Sequence, residues 1–191
     1  MNEESRFRRL VAELVRDNAL CISGLLSRKM FGPPARPVQP AKVWRVIGEV
    51  DNTYYLSRGE DLYRRGIYTL WRRSAHYPSF ANFDAPNRGA CTVSRQSSNT
   101  PLQALTLMND PAYVEMARAF ATRIQQETED MNATRSLAHA FRLALCRHPG
   151  ADELEVMRKI YFTALDTDGA DAEAWFDVAT TLLNLHETIT K

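Results

Sequence analysis

Residues 100–124 read TPLQALTLMNDPAYVEMARAFATRI and carry the signals that decide the fold. Thr100 stands directly before a proline and three residues before Gln103, a spacing typical of a capping box at a helix start. Asp110 stands before Pro111 and repeats the signal. Apolar residues then recur at three- and four-residue steps, which indicates an amphipathic helix. The stretch therefore predicts two consecutive helices with separate N-caps.

Three further helical patterns follow toward the C-terminal end. One opens at Asn132 or Thr134, the next begins at Ala151, and the last begins at Asp171. The connections between them are short, which favours antiparallel neighbours in a helical bundle. We therefore predict a mainly α fold with a bundle over residues 100–191.

The N-terminal part predicts one helix followed by an extended arm. An apolar stripe that includes Leu14 and Cys21 predicts a helix over residues 4–26, inside an N-terminal segment of residues 1–32. The prolines of residues 33–40 predict a stiff arm laid across its own domain, because proline fixes φ and has no N–H to donate.

Residues 33–99 are predicted to form this arm and an irregular segment. Trp44 and the apolar residues after it allow a short strand, and residues 62–77 fit a helix or a buried strand equally well. Residues 78–99 are polar, and a loop of about 22 residues inside a compact domain is often functional. We expect one domain over residues 1–191, with this loop as the first place to look for function.

The net charge of +1 hides two halves of opposite sign. Residues 1–100 hold 16 Lys and Arg against 9 Asp and Glu, whereas residues 101–191 hold 8 against 14. Most basic residues of the first half are Arg, which is preferred for fixed hydrogen bonds in packed places. Binding of nucleic acid through Arg64-Arg65 and Arg72-Arg73 is therefore disfavoured, and we expect no nucleic-acid partner.

The cysteine pattern and the hydropathy exclude several protein classes. Cys21, Cys91 and Cys146 form no C-x-x-C motif, so zinc-ribbon and thioredoxin-type sites are excluded. Cys21 and Cys146 fall in helical patterns and are predicted to be buried, whereas Cys91 lies in the polar loop and is the one to test for reactivity. The chain contains no run of 18 apolar residues, so the sequence predicts no membrane span. Charged residues are spread throughout residues 1–20, which is unlike a signal peptide.

Several motifs of the chain match a known family. They are FDAPNR at residues 83–88, SNTPLQAL at residues 98–105 and MNDP at residues 108–111. The chain resembles the C-terminal domain of unknown function of large planctomycete-type cytochrome-c-associated proteins, and it is similar to the C-terminal part of that domain. Weaker matches, such as the LLNL motif at residues 182–185, extend the resemblance over almost the whole chain.

The resemblance implies an exported or periplasmic parent protein with a c-type haem in a separate upstream domain. It implies as partners the upstream part of the same domain or other domains of the parent, and it carries over no catalytic residue. This chain has no haem-attachment motif. We expect no cofactor and no metal in it, and the sequence leaves a glycan or other small-molecule ligand open.

The first functional hypothesis is a non-catalytic structural or interaction domain. Its polar loop would be fixed to the helices by a polar clasp, in which arginine and amide groups bond one another and the loop backbone. The predicted members of this polar clasp are Asp84, Arg88, Arg95, Asn99, Thr100, Gln103, Asn109 and Asp110. Under this hypothesis no residue is catalytic.

The alternative is a carbohydrate-active hydrolase module. Such an enzyme needs two carboxylates across a cleft, and the best pair is Asp84 with Asp110, or with Glu115 in reserve. His76 lies beside the loop and is the one further acid–base candidate. We favour the non-catalytic hypothesis, because N-capping accounts for Asp110 and turn formation accounts for Asp84.

Overall fold

Helices dominate the computed structural model of the chain, which describes residues 8–41, 43–44 and 53–190. The seven α-helices of these residues are α1 Ala12–Ser23, α2 Pro78–Asn82, α3 Pro101–Asn109, α4 Pro111–Glu127, α5 Ala133–Leu145, α6 Ala151–Asp168 and α7 Asp171–Asn184. Short 3₁₀ helices cover Gly59–Tyr63, Gly66–Tyr68 and His186–Ile189. The predicted mainly α class is confirmed.

The core lies among the C-terminal helices. Helix α7 packs against both α4 and α6, helix α5 packs against α6, and α1 covers another side of α4. Phe120 and Ile124 of α4 meet Val178 and Leu182 of α7 in an interior from which water is excluded. The irregular segments are laid around this bundle.

Local signals placed most of the helix starts correctly. The Asp110 carboxylate accepts a hydrogen bond from the Ala112 N–H at 2.9 Å, and the Asn132 side chain accepts one from the Arg135 N–H at 3.0 Å. The predicted capping box at Thr100 is wrong, because the Thr100 side chain makes no cap hydrogen bond. The Gln103 amide that should complete the box is directed to other partners, described below.

Helix α1 is shorter than predicted and buries a different face. It begins at Ala12, and residues 4–7 of the predicted helix lie outside the described residues. The buried side includes Val15 and Ala19, whereas Leu14 of the predicted stripe is 43 % exposed. Periodicity gave the wrong face because α1 carries apolar residues on two sides, and α4 contacts the side with the small alanines.

The described residues form no strand, and their pairing consists of isolated bridges such as Ala35 with Thr69. Residues 45–50, where a strand was allowed, lie outside the described part. Residues 62–77 are neither a helix nor a strand; they contain 3₁₀ turns that pack on α1. Gly66 permits this packing, since a Cβ there would lie 2.8 Å from the Glu13 carbonyl oxygen.

The proline-rich arm lies extended on its own domain, as predicted. The Ala35 N–H donates to the Tyr68 carbonyl and the Leu70 N–H donates to the Ala35 carbonyl, both at 2.7 Å. The Tyr77 hydroxyl donates to the Val38 carbonyl at 2.9 Å. These bonds give the arm's carbonyl and N–H groups partners that a helix would have supplied internally.

Two smaller predictions are wrong. Cys21 and Cys146 are exposed, because Cys21 lies on the outer side of α1 and Cys146 follows the end of α5 in a left-handed conformation. Residues Pro78–Asn82 of the segment predicted to be irregular form helix α2, so the polar loop is irregular only after Asn82. Among the helices described, none is long and apolar enough to cross a membrane.

Candidate functional site

A cleft of about 430 Å³ lies where the segment before α1 meets the loop between α2 and α3. We call it the Asp84 cleft. Its lining residues are Arg8, Arg9, Leu10, Val11, Ala12, Phe83, Asp84, Arg95, Gln96, Ser97 and Gln103. Three residues of the predicted polar clasp, namely Asp84, Arg95 and Gln103, therefore share one cleft.

Asp84 holds the two ends of the polar loop together. Its carboxylate accepts hydrogen bonds from the Ser98 N–H and the Ser98 hydroxyl, both at 2.7 Å, and from the Gln103 amide at 3.3 Å. Asp84 has a φ of 59°, a left-handed conformation that Asp tolerates better than most residues, and it follows the end of α2. The turn at Asp84 thus directs its carboxylate across the loop toward α3.

These contacts keep the Asp84 carboxylate ionised. Burial by itself would raise the pKa of Asp84, but hydrogen bonds from Ser98 and Gln103 and the positive charge of Arg9 lower it overall. A carboxylate with a lowered pKa is a poor general acid near neutral pH. Its oxygens already have donors from the chain, so the arrangement suits a fixed structural anion.

Arginines tie the same loop to the N-terminal segment. Arg9 donates from Nη1 to the Ser98 carbonyl at 2.9 Å. Arg95 forms two hydrogen bonds to the Glu13 carboxylate, at 2.7 and 3.1 Å. Burial alone would raise the pKa of Glu13, but its bonds to Arg95 and the nearby positive charge lower it overall. The loop between α2 and α3 is therefore attached to the start of α1 at two points.

The remaining members of the predicted clasp lie elsewhere. The Arg88 guanidinium lies 4.6 Å from the centre of the Trp71 ring, and the Asn109 amide donates to the Leu105 carbonyl within α3. Asp110 caps α4. Thr100 makes no cap bond, and Asn99 is exposed with no hydrogen bond from its side chain in the described part of the chain. The clasp as a functional assignment stays a prediction.

Three residues that bond in or beside the cleft were not predicted as members of the polar clasp: Arg9 in the lining, and Glu13 and Ser98 next to it. Their contacts join positions 82 and 89 residues apart in the chain, which no local pattern indicates. Arg9 and Glu13 are four residues apart, but this spacing places side chains together only within a helix, and Arg9 lies before the start of α1.

The candidate catalytic residues do not converge at the Asp84 cleft. Asp110 is buried at the start of α4, where burial raises its pKa against the opposing effects of the Ala112 N–H and Arg16. Glu115 accepts a hydrogen bond from the Tyr63 hydroxyl at 2.6 Å, and His76 packs against the Trp71 ring. None of these three lines the Asp84 cleft, so the geometry gives Asp84 no second carboxylate there.

Metal and nucleic-acid chemistry also find no support in the described residues. Within the described ranges, no group of three or more His, Cys, Asp or Glu could hold a metal ion. Arg64 is only 1 % exposed, and its guanidinium donates to the carbonyls of Pro33 and Phe31. The Arg64-Arg65 pair is therefore not a surface that could follow a phosphate backbone.

The sequence profile of one family, described as PSD1, protein of unknown function (DUF1553), matches residues 2–161. Comparison with curated proteins and with solved structures gives no significant match. The matched range ends inside α6 and covers most of the chain, including every residue of the Asp84 cleft. The chain belongs to the PSD1 family, DUF1553, a family of unknown function.

Proposed function

We propose that this chain is a non-catalytic structural or interaction domain of a larger exported, cytochrome-c-associated protein. The observation that carries the proposal is the Asp84 carboxylate, whose donors are the Ser98 N–H, the Ser98 hydroxyl and the Gln103 amide. The most plausible catalytic group of the chain is thus used to close a loop. Asp110 and Glu115, its candidate partners, bond to other groups.

A loop of this kind presents a fixed surface without help from sheet or helix hydrogen bonds. Its ends meet at Asp84 and Ser98, and Arg95, three residues before Ser98, bonds to Glu13 on α1. Side chains between these points, such as Cys91 and Val93, are exposed. An exposed loop attached at its ends to a helical scaffold suits the recognition of a neighbouring domain.

The identity of the parent rests on the sequence resemblance. It supports a planctomycete-type parent in which the c-type haem belongs to an upstream domain and this chain contacts other domains of the same polypeptide. A pyridine haemochrome assay on the purified parent should detect covalently bound haem, and the same assay on this chain alone should detect none. Absence of haem from the parent would remove the cytochrome association.

Thermal and urea unfolding of Asp84→Asn test the structural role. Asparagine keeps the size of the side chain but removes the charge and one acceptor, so we expect the free energy of unfolding to fall by about 1–2 kcal/mol. The matched control is Asp130→Asn at an exposed turn residue, which should change stability by less than about 0.5 kcal/mol.

An unchanged or increased stability of Asp84→Asn would contradict the proposal. A residue retained for chemistry commonly destabilises the fold, so its removal stabilises the protein. In that case Asp84 would have to be assigned a role in binding or catalysis.

A further inference from the structure

We propose that the Asp84 cleft binds a small organic carboxylate, with Arg8 and Arg9 holding the carboxylate group. This inference goes beyond the structural role, since a domain can present a fixed loop with or without a ligand beside it. It rests on hydrogen-bond donors and acceptors in the Asp84 cleft that have no partner within the described part of the chain.

The two arginines are the unused donors of the cleft. Arg8 is exposed and has no hydrogen-bond or ion-pair partner among the described residues. Arg9 uses Nη1 for the Ser98 carbonyl, while its Nε is shielded from solvent and has no acceptor in the described part. Both arginines line the cleft, and the N–H groups of a guanidinium match the planar oxygens of a carboxylate.

The local electrostatics favour an anion. Burial lowers the pKa of Arg9, and the charge of Asp84 opposes this only in part. Asp84 is bonded to Ser98 and Gln103, and Arg95 is neutralised by Glu13 outside the lining. With Arg95 paired to Glu13, the lining holds two further arginines, Arg8 and Arg9, against the Asp84 carboxylate, so a bound anion would reduce the remaining positive charge.

The floor of the cleft provides an acceptor. Gln103 is 1 % exposed, and its Oε1 has no hydrogen-bond donor in the described part, while its Nε2 donates to Asp84 and Ser98. A buried acceptor without a partner is unfavourable, and a ligand O–H or N–H reaching it would relieve this. The preferred ligand therefore carries a hydrogen-bond donor in addition to its carboxylate.

The wall and the size of the cleft favour a small molecule over a free ion. Leu10, Val11 and Phe83 also line the cleft and supply apolar surface. A volume of about 430 Å³ lies within the range of small-molecule sites. These features together describe a carboxylate on a compact apolar body with a hydroxyl or N–H at its far end.

A suitable probe is 4-hydroxybenzoate, which combines a carboxylate, an apolar ring and a hydroxyl donor. Isothermal titration calorimetry on the whole chain should detect its binding. 4-Hydroxybenzyl alcohol lacks the charge, and we expect it to bind at least about tenfold more weakly, since hydrogen bonds to a charged group are the stronger ones. Inorganic phosphate lacks the apolar body and should also bind more weakly.

Variants locate the site. Arg9→Gln should weaken binding of 4-hydroxybenzoate about tenfold or more, but it also removes the bond to the Ser98 carbonyl. Arg8→Gln breaks no contact within the described part and should weaken binding about threefold, as expected for an exposed charge. The matched control is Arg158→Gln, an exposed arginine of α6 outside the cleft, which should leave binding unchanged.

Any one of the following results would overturn this inference: no binding at millimolar 4-hydroxybenzoate, equal binding of the neutral alcohol, or binding unaffected by Arg8→Gln. Binding of phosphate as tight as that of 4-hydroxybenzoate would also overturn it, because the apolar wall would then have no role. The unfolding experiment on Asp84→Asn is performed without ligand, so each proposal can fail while the other stands.

Discussion

The C-terminal bundle and the irregular half of the chain are held together by different kinds of contact. In the bundle, apolar side chains of α4 and α7 such as Phe120 and Val178 have no exposed surface. In the irregular half, by which we mean the described part of residues 8–99 together with its helices α1 and α2, the largest fully buried side chains are those of Arg16 and Arg64, each 2 % exposed or less. A backbone without internal hydrogen-bond ladders needs donors for its carbonyl groups, and buried guanidinium groups provide them.

The two buried arginines form consecutive contacts, because Arg16 bonds to the segment that contains Arg64, and Arg64 bonds to the segment before it in the chain. Arg16 of α1 donates to the carbonyls of Arg64 and Leu62, at 2.6 and 3.0 Å. Arg64 in turn donates to the carbonyls of Pro33 and Phe31. Helix α1 is thus connected through one irregular segment to the next. The comparison teaches that buried arginines can hold an irregular region in place where helix and sheet hydrogen bonds are absent.

The largest expected effect comes from the bundle. Phe120→Ala removes a ring that is fully buried on α4, and the cavity should lower the free energy of unfolding by about 3–5 kcal/mol. Urea denaturation measures the change. The matched control is Phe162→Ala at a residue of α6 that is 42 % exposed, where we expect a loss below about 1 kcal/mol. Equal losses of unfolding free energy at the two positions would contradict the assignment of Phe120 to a buried core.

The next effect should be confined to the irregular half. Arg64→Met keeps much of the side-chain volume but leaves the carbonyls of Pro33 and Phe31 without their donor, which should cost about 2–4 kcal/mol. Hydrogen exchange should show faster exchange over residues 62–70 and unchanged protection in α4 and α7.

The control for this position is the adjacent arginine. Arg65 is exposed and forms an ion pair with Asp17 at 3.6 Å, so Arg65→Met should have a small effect. If Arg64→Met lowered protection in the bundle as much as in the irregular half, the two regions would be one cooperative unit and the contrast between them would fail.

The N-cap positions Thr100 and Asp110 lie where the irregular half meets the C-terminal bundle, and they test the comparison there. Asp110→Ala removes the acceptor of the Ala112 N–H and should lower stability by about 1 kcal/mol. Thr100→Ala should change stability by only a few tenths of a kcal/mol, because the Thr100 side chain makes no cap hydrogen bond. Thermal unfolding of the two variants under the same conditions measures the difference in stability. A larger loss of stability for Thr100→Ala than for Asp110→Ala would support the predicted capping box.

The smallest effect is expected at an exposed ion-pair cluster. Hydrogen bonds from Arg147 and from the Gly150 N–H lower the pKa of Glu153 to about 2. Because a glutamate in the unfolded chain titrates near about 4.3, this stabilisation is present above that pH and is lost as the pH falls toward 2. Unfolding free energy of Glu153→Gln should therefore depend less on pH over this interval.

Glu129→Gln is the control for the acid titration. Glu129 is exposed and has no hydrogen-bond or ion-pair partner among the described residues, so this variant should keep the pH dependence of the unchanged protein. Parallel pH profiles for Glu153→Gln and the unchanged protein would show that the cluster at Arg147 has no role in stability.

The same contrast explains which parts of the fold the sequence could predict. Helix starts at Asp110, Asn132, Ala151 and Asp171 follow from signals within a few residues, and the structure places them there or one residue later. The buried face of α1 did not follow, because Val15 and Leu14 lie on two apolar sides and only the contact with α4 decides between them.

The candidate site was predictable only in part, for the same physical reason. Asp84 and Arg95 belong to a loop whose unusual length attracts attention, and Gln103 lies in the first turn of α3 directly after it. Arg9 and Ser98 are 89 residues apart, and their hydrogen bond depends on how the loop crosses the start of α1. Contacts of this range arise from tertiary packing, which local propensity does not determine.

The position of α7 has a practical consequence for work on this family. The family match ends at residue 161, but Ala174, Val178 and Leu182 of α7 fill the space between α4 and α6. A protein truncated at residue 161 would expose the apolar sides of both helices to water and should aggregate on expression. Recombinant work should therefore retain the polypeptide at least through Thr190, whose hydroxyl bonds the His186 carbonyl and closes the C-terminal turn.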